Sequence, residues 1–184
     1  TAGRRDPGAG SDRRGARLRE SPVSTPLEQL SAEMADLVGD LGKSLVRIQN
    51  GRSGAGAGSV WHPDGLILTN AHVVGSRGLK VSLLDGPDLP ARVLAHDTSL
   101  DLAAIAVDAT GLPAIPLGDS RGLEPGEMVL AMGHPWGVSG AVAAGAVIGT
   151  GSLPPGMPES DREWVVASLR LRPGHSGGPM VDAH

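Results

Sequence analysis

From residue 45 onward the chain is a series of short apolar runs, each closed by a turn signal. Such signals stand at 62–65, 85–87 and 154–156, with the letters HPDG, DGP and PPG. The sequence holds 28 glycines and 15 prolines, and both residue types favour tight turns over long helices. Many short strands at near-regular spacing indicate a β-sandwich or a β-barrel. The pattern therefore predicts an all-β fold.

The predicted strands fall into two groups. The first group lies near 45–50, 58–61, 66–69, 79–84, 90–96 and 102–107, and the second near 128–132, 141–149, 164–169 and 179–182. A stretch with Gly and Pro near 108–120 is interpreted as the linker between them. Because the chain has three Trp and no Phe or Tyr, its core must be aliphatic.

Two segments precede the strands. Residues 1–26 carry six Arg and three acidic residues with almost nothing apolar, which predicts a flexible basic arm. That arm is a solvated linker or, alternatively, a binding arm for acidic partners. A helix is predicted over 27–42, capped by Thr25 and Glu28 after the capping-box pattern, with Pro26 at its first position and Gly42 as its stop.

Apolar residues recur at helical spacing along this helix. We expect the stripe to dock on the domain or on a neighbouring subunit. Its members are Leu27, Leu30, Met34, Leu37, Val38 and Leu41.

Composition argues against several classes of function. A net charge of -4 is unlike that of a dedicated nucleic-acid binder. Cysteine is absent, and no histidine pair shows a metal-binding spacing such as H-E-x-x-H. No apolar run approaches the roughly 20 residues of a membrane helix. We therefore expect no cofactor, no metal, no nucleic-acid partner and no membrane segment in this chain.

Two segments of the first strand group carry candidate catalytic side chains. His72 follows a predicted strand, and histidine is the natural general base near neutral pH. Asp101 stands directly before the apolar run 102–107, where a carboxylate needs a partner such as an imidazolium. The alternatives are a structural histidine and a turn aspartate. Asp97 competes with Asp101 but lies further from the strand.

The third segment, 172–180, reads RPGHSGGPM. Glycines on both sides of Ser176 allow a tight bend and close approach to a substrate. Such a bend can aim the backbone N–H groups of Gly174 and Ser176 at one point as an oxyanion hole. The alternative is a Gly-rich hairpin with an incidental serine. The order His72, Asp101, Ser176 is that of the chymotrypsin type, so we predict a catalytic triad across a cleft between the two strand groups.

The chain resembles the bacterial HtrA/Deg family of trypsin-like serine proteases over roughly residues 45–182. The matching strings are LTNAHVV at 68–74, DLA at 101–103, LGDS at 117–120, GEMVLAMGHPWG at 126–137 and PGHSGGP at 173–179. The resemblance implies two six-stranded chymotrypsin-like β-barrels and a serine endopeptidase that cleaves unfolded or misfolded proteins outside the cytoplasm. It also implies no metal or organic cofactor, and leaves a homotrimer possible. The domains are then the arm 1–26, the helix 27–42, a first barrel 43–110 and a second, incomplete barrel 111–184.

The chain departs from the family pattern in two respects. His175 stands where the family usually has Asn, which adds a titratable group beside Ser176. The sequence also stops at His184, whereas further strands and often a PDZ domain follow the nucleophile in the resembled fold, so a fragment is expected. The alternative function is an inactive or incomplete protease domain that only binds unfolded chains.

Overall fold

The computed structural model describes residues 25–51, 54–75, 78–83, 86–151 and 163–182. The predicted arm, up to residue 24, and the predicted turn at 154–156 lie outside these ranges. The described elements are α1 (Pro26–Gly42), β1 (Leu45–Asn50), β2 (Gly54–His62), β3 (Leu66–Thr69), β4 (Leu79–Leu83), β5 (Asp88–Asp97), β6 (Leu102–Val107), β7 (Met128–Gly133), β8 (Ala141–Gly151), β9 (Trp164–Ala167) and β10 (Met180–Val181).

The first six strands form a closed antiparallel barrel in the order β1-β2-β3-β6-β5-β4. Alternate residues of each strand point inward, because successive side chains of a strand lie on opposite faces. The barrel interior is aliphatic, as predicted. Its fully buried members are Val46, Ile48, Val60, Ile67, Val81 and Ile105.

The second group forms an open four-stranded sheet in the order β10-β7-β8-β9. Leu123, Val129 and Val147 are the buried centre of its own small core. A closed barrel followed by this half-barrel, with one short helix, confirms the predicted fold class of two chymotrypsin-like barrels with the second incomplete.

Helix α1 begins as predicted. The Glu28 amide donates to Thr25 Oγ1 over 3.3 Å, and the Thr25 amide donates to Glu28 Oε2 over 2.7 Å. The helix ends at Gly42 as predicted, and its C-cap is Lys43 in a right-handed conformation. A left-handed glycine is not needed because the Lys43 amide bonds back to the carbonyls of Asp40 and Leu41.

The apolar stripe of α1 docks over only part of its length. Leu41 is buried against Leu45, Ala57 and Met132 and so touches both strand groups. By contrast, Leu27 at the start of the helix is 73% exposed.

The segment near 108–120 is pinned to the first barrel. The Leu112 amide donates to the Pro63 carbonyl over 3.1 Å, and the Ile115 amide donates to the Val60 carbonyl over 2.8 Å. The linker therefore runs along the barrel wall before the chain enters the second sheet.

Each of the three tryptophans occupies a different part of the fold. Trp61 lies in β2 of the barrel, and Trp164 begins β9 of the second sheet. Trp136 lies in a short 3-10 turn, Pro135–Gly137, is 77% exposed and has a left-handed φ of 55°. Its ring centroid is 5.9 Å from the guanidinium carbon of Arg172.

Candidate active site

The histidine predicted as general base lies just beyond the end of β3. The chain leaves the strand at Thr69, passes Asn70 and makes one 3-10 turn, Ala71–Val73. Ala71 is buried at the start of this turn. The His72 side chain is exposed as a result, because the turn places it on the solvent side.

Asp101 holds His72 by two hydrogen bonds. Oδ2 of Asp101 lies 2.8 Å from His72 Nδ1, and Oδ1 accepts from the His72 backbone amide over 3.0 Å. The hydrogen bond from the His72 backbone amide, together with the imidazole, holds the pKa of Asp101 below its usual range. A carboxylate at this place fixes the imidazole with Nδ1–H toward Asp101, which leaves Nε2 as the basic nitrogen.

Asp97, the competing carboxylate, has a structural role in a turn. Its Oδ1 accepts from the Ser99 amide over 2.8 Å and from the Leu100 amide over 3.0 Å. Asp97 therefore caps the loop between β5 and β6, which is the turn role that an aspartate commonly takes.

Ser176 lies in a tight loop that is bonded to the first barrel. The Ala57 amide in β2 donates to the Ser176 carbonyl over 2.8 Å. A Cβ built on Gly56 would lie 2.6 Å from the Val73 side chain and 3.1 Å from the Ser176 carbonyl. The residue after His72 and the backbone of Ser176 therefore meet at the same glycine.

Only two of the three predicted catalytic side chains are joined by a hydrogen bond within the described ranges. His72 and Asp101 are in direct contact, whereas no hydrogen bond joins Ser176 Oγ to His72 among the described residues. Loose nucleophile–base contacts are usual when no substrate is bound, because they tighten in the substrate complex.

The backbone groups predicted for the oxyanion hole are the amides of Gly174 and Ser176. Within the described ranges neither the Gly174 nor the Ser176 amide donates a hydrogen bond, while the intervening His175 amide donates to the Arg172 carbonyl over 3.0 Å. Gly174 has a φ of 108°, which a residue with a Cβ rarely adopts.

Two buried histidines belong to this region, His175 within the loop and His134 packed against it. The His134 amide donates to the Gly174 carbonyl over 2.9 Å, and the side chains of His134 and His175 are both buried. Burial lowers the pKa of His134, and a hydrogen bond to the Val46 backbone raises it. The charges of Arg47 and His175 act in the same direction as burial, and the net effect is a lowered pKa. His134 is therefore held neutral near pH 7.

Asn70 is the polar residue whose role the sequence did not suggest. Its Nδ2 donates to the Asp101 carbonyl over 2.9 Å, and its Oδ1 accepts from the Gly177 amide over 2.6 Å. The signal in the sequence was a polar side chain between a strand and the candidate base, but nothing in the pattern names its partners.

The described part of the chain has no group of three or more His, Asp or Glu side chains arranged to hold a metal ion. No helix within the same ranges is long and apolar enough to cross a membrane.

Comparisons with known proteins agree with the geometry of the site. The family model described as "Trypsin-like peptidase domain" matches residues 56–184. The "Probable periplasmic serine endoprotease DegP-like" of Halomonas elongata is 38% identical over 132 residues, which are 71% of this chain and 27% of that protein. "Serine protease HTRA1" of Xenopus tropicalis is 35% identical over 163 residues, 81% of this chain and 35% of that protein.

Solved structures agree. The "HtrA-type protease AlgW with tripeptide" superposes with a TM-score of 0.73 at 32% identity, over 81% of this chain and 50% of that chain. The present chain thus spans about a quarter to a third of the length of the curated relatives named above.

Proposed function

The chain belongs to the trypsin-like peptidase family, and we propose from that premise that it is a serine endopeptidase with Ser176 as nucleophile, His72 as general base and Asp101 as orienting carboxylate. The observation that supports this most is the pair of hydrogen bonds that Asp101 accepts from the backbone amide and Nδ1 of His72. A structural histidine needs one partner, whereas a general base needs its tautomer fixed and its second nitrogen accessible.

The chemistry follows from the residue types. His72 Nε2 takes the proton from Ser176 Oγ as that oxygen forms a bond to the carbonyl carbon of the peptide. The tetrahedral oxyanion is stabilised by the Gly174 and Ser176 amides. The C–N bond then breaks, the leaving amine takes the proton from His72, and an acyl-enzyme remains. Water attacks the acyl group by the same steps and releases Ser176.

Substrate class and compartment are proposed from the relatives. We assign unfolded or misfolded polypeptides as substrates and an extracytoplasmic site of action. The support is the name of the Halomonas relative, which places that protein in the periplasm. A homotrimer is part of the same proposal.

Covalent labelling tests the enzyme assignment. A fluorophosphonate probe should label Ser176, and Ser176→Ala should abolish labelling and lower kcat by about 10⁶-fold, as for nucleophile loss in a serine protease. His62→Ala is a matched control, because His62 forms an exposed pair with Asp64 at 3.5 Å at the opposite end of β3. No labelling of folded protein would refute the enzyme and favour the alternative of a non-catalytic module that binds unfolded chains.

Substrate preference is tested separately. Casein, which is unfolded, should be degraded much faster than a native protein with the same cleavable bonds. Equal rates on folded and unfolded forms of one protein would contradict the quality-control role, while leaving the peptidase assignment intact.

A further inference from the structure

One carboxamide connects all three catalytic segments of the chain. Asn70 lies two residues before His72, its Nδ2 donates to the Asp101 carbonyl over 2.9 Å, and its Oδ1 accepts from the Gly177 amide over 2.6 Å. Gly177 directly follows Ser176. Both ends of the Asn70 side chain are therefore bonded to main-chain groups next to catalytic side chains.

The surrounding packing holds this bridge at a fixed length. Thr69 Oγ1 donates to the Ala57 carbonyl over 2.7 Å, and the Ala57 amide donates to the Ser176 carbonyl over 2.8 Å. Gly177 has a φ of 81°, and a Cβ there would overlap Thr69 Oγ1 and the Ala57 carbonyl. The loop that carries Ser176 thus approaches β2 and β3 with its bare backbone, and Asn70 bonds to it at the point of approach.

We propose that Asn70 is a positioning residue that sets the separation between Ser176 and the His72–Asp101 pair. The inference rests on the proposed peptidase function. It adds a role for position 70, where only a carboxamide side chain suits both neighbouring groups. A donor must face the Asp101 carbonyl while an acceptor faces the Gly177 amide, and Asn offers both at once. Aspartate offers only acceptors when ionised, and alanine offers neither.

The proposal predicts a loss in kcat rather than in KM. Asn70 faces main-chain groups behind the catalytic side chains, so substrate binding should change little. Misplacement of reacting groups by about 1 Å can cost about 10²-fold in rate. For Asn70→Ala we therefore expect kcat on a peptide substrate to fall by about 10²-fold, with KM within about threefold of the original value.

Asn70→Asp separates the two halves of the bridge. It retains an acceptor for the Gly177 amide but loses the donor to Asp101 when ionised. The ratio of its kcat to that of the unmodified protein should rise as pH falls, because a protonated carboxyl can donate again. A kcat equal to that of the unmodified protein at every pH would overturn the Asp101 half of the proposal.

Amide hydrogen exchange provides a readout that does not depend on activity. The Gly177 amide should exchange at least about tenfold faster in Asn70→Ala, and near the original rate in Asn70→Asp, since exchange reports loss of the local hydrogen bond. Gln49→Ala is the control, because its carboxamide lies in β1 next to the Arg47 guanidinium rather than next to any catalytic segment.

The outcomes are distinguishable. An Asn70→Ala variant with unchanged kcat, or with lowered kcat and unchanged Gly177 exchange, would overturn the positioning role. If the unmodified protein neither labels nor cleaves, the proposed function fails, and Gly177 exchange still decides whether Asn70 holds the loop. If Asn70→Ala does not fold, the pH profile and the exchange of Asn70→Asp decide.

Discussion

Asp101 meets a backbone demand and a charge demand at one position. Its φ is 49°, in the left-handed region that aspartate and asparagine enter more readily than other residues with a Cβ. That conformation turns the carboxylate toward His72 immediately before β6 begins. An observed outlier of this kind is a reason to look for function at the residue.

Asp101→Asn should separate the two demands. Asparagine tolerates the left-handed region and keeps an acceptor for the His72 amide, so the melting temperature should be nearly unchanged. kcat/KM should fall by about 10⁴-fold, because an amide favours the wrong imidazole tautomer. Peptide hydrolysis and thermal unfolding measure both effects, with the exposed Asp64→Asn as control. Retention of more than about a tenth of the activity would contradict the role of Asp101 in the template mechanism.

His134 should make stability depend on pH. Burial lowers its pKa below the ordinary histidine value of 6.5, so the unfolded chain binds a proton at a higher pH than the folded chain does. The contribution of His134 is therefore present above pH about 6.5 and is lost as pH falls toward its folded pKa. The charges of Arg47 and His175 also lower the pKa of His134.

The measurement is the difference between two proteins. Urea unfolding at several pH values between 5 and 8 should show a smaller loss of stability on acidification for His134→Gln than for the unmodified chain. Because the two proteins share every other titratable group, the difference isolates the contribution of His134. Equal slopes would mean that His134 is not held neutral.

Motifs in the sequence predicted the candidate catalytic residues but not all of the hydrogen bonds that hold them in place. His72 and Asp101 are 29 residues apart, and their contact could be predicted because the strings around them resemble a known family. The Asn70–Gly177 bond spans 107 residues and uses a main-chain group, which no pattern of residue types records. Such contacts depend on how two sheets dock and need coordinates.

At the scale of elements, strand ends were predictable where side chains change from apolar to polar. β3 and β6 have the predicted bounds, 66–69 and 102–107. β2 was predicted at 58–61 but begins at Gly54. The prediction missed the start of the strand because alternating Gly and Ala residues are typical of a loop. The small residues are required by packing: a Cβ on Gly58 would lie 2.9 Å from Ile48 Cδ1 and 3.0 Å from Ile67 Cγ2.

Short 3-10 turns were missed for another reason. Three residues are too few to show a periodicity, so the turn that carries His72 left no mark of its own. The helix α1, with an explicit capping box, was predicted to within one residue of its observed start.

Leu41 should contribute most of the binding of α1 to the rest of the molecule. It is buried against residues of both strand groups, so Leu41→Ala should lower the free energy of unfolding by about 2–5 kcal/mol. Leu27→Ala is the matched control, since Leu27 is 73% exposed, and its effect should stay within about 0.5 kcal/mol. Urea unfolding measures both, and equal effects would show that α1 is not anchored at its C-terminal end.

At the scale of the whole molecule, the two sheets differ in closure. The first barrel has every strand paired on both sides, whereas among the described residues the second sheet ends at the edge strands β9 and β10. An edge strand keeps one row of unpaired backbone groups. The described structure therefore joins a closed unit to an open one through Leu41, the Ser176 carbonyl and Asn70.

Native-state hydrogen exchange should follow this division. Amides of β1, β2 and β3 should exchange last, with free energies near that of global unfolding, and amides of β9 should exchange first, because local opening begins where few bonds must break. Mass spectrometry of peptides from each strand tests this order. Equal protection in β2 and β9 would show that the two sheets open as one cooperative unit.

The scatter of three indoles over three parts of the fold has a spectroscopic consequence. Without tyrosine or phenylalanine, all near-ultraviolet absorption and emission of the chain come from Trp61, Trp136 and Trp164. One fluorophore therefore belongs to the barrel, one to the second sheet, and one, stacked near the Arg172 cation, to the loop beside the nucleophile. Three proteins that each keep a single indole would emit three signals, each reporting the solvent polarity around one part of the fold without any attached dye.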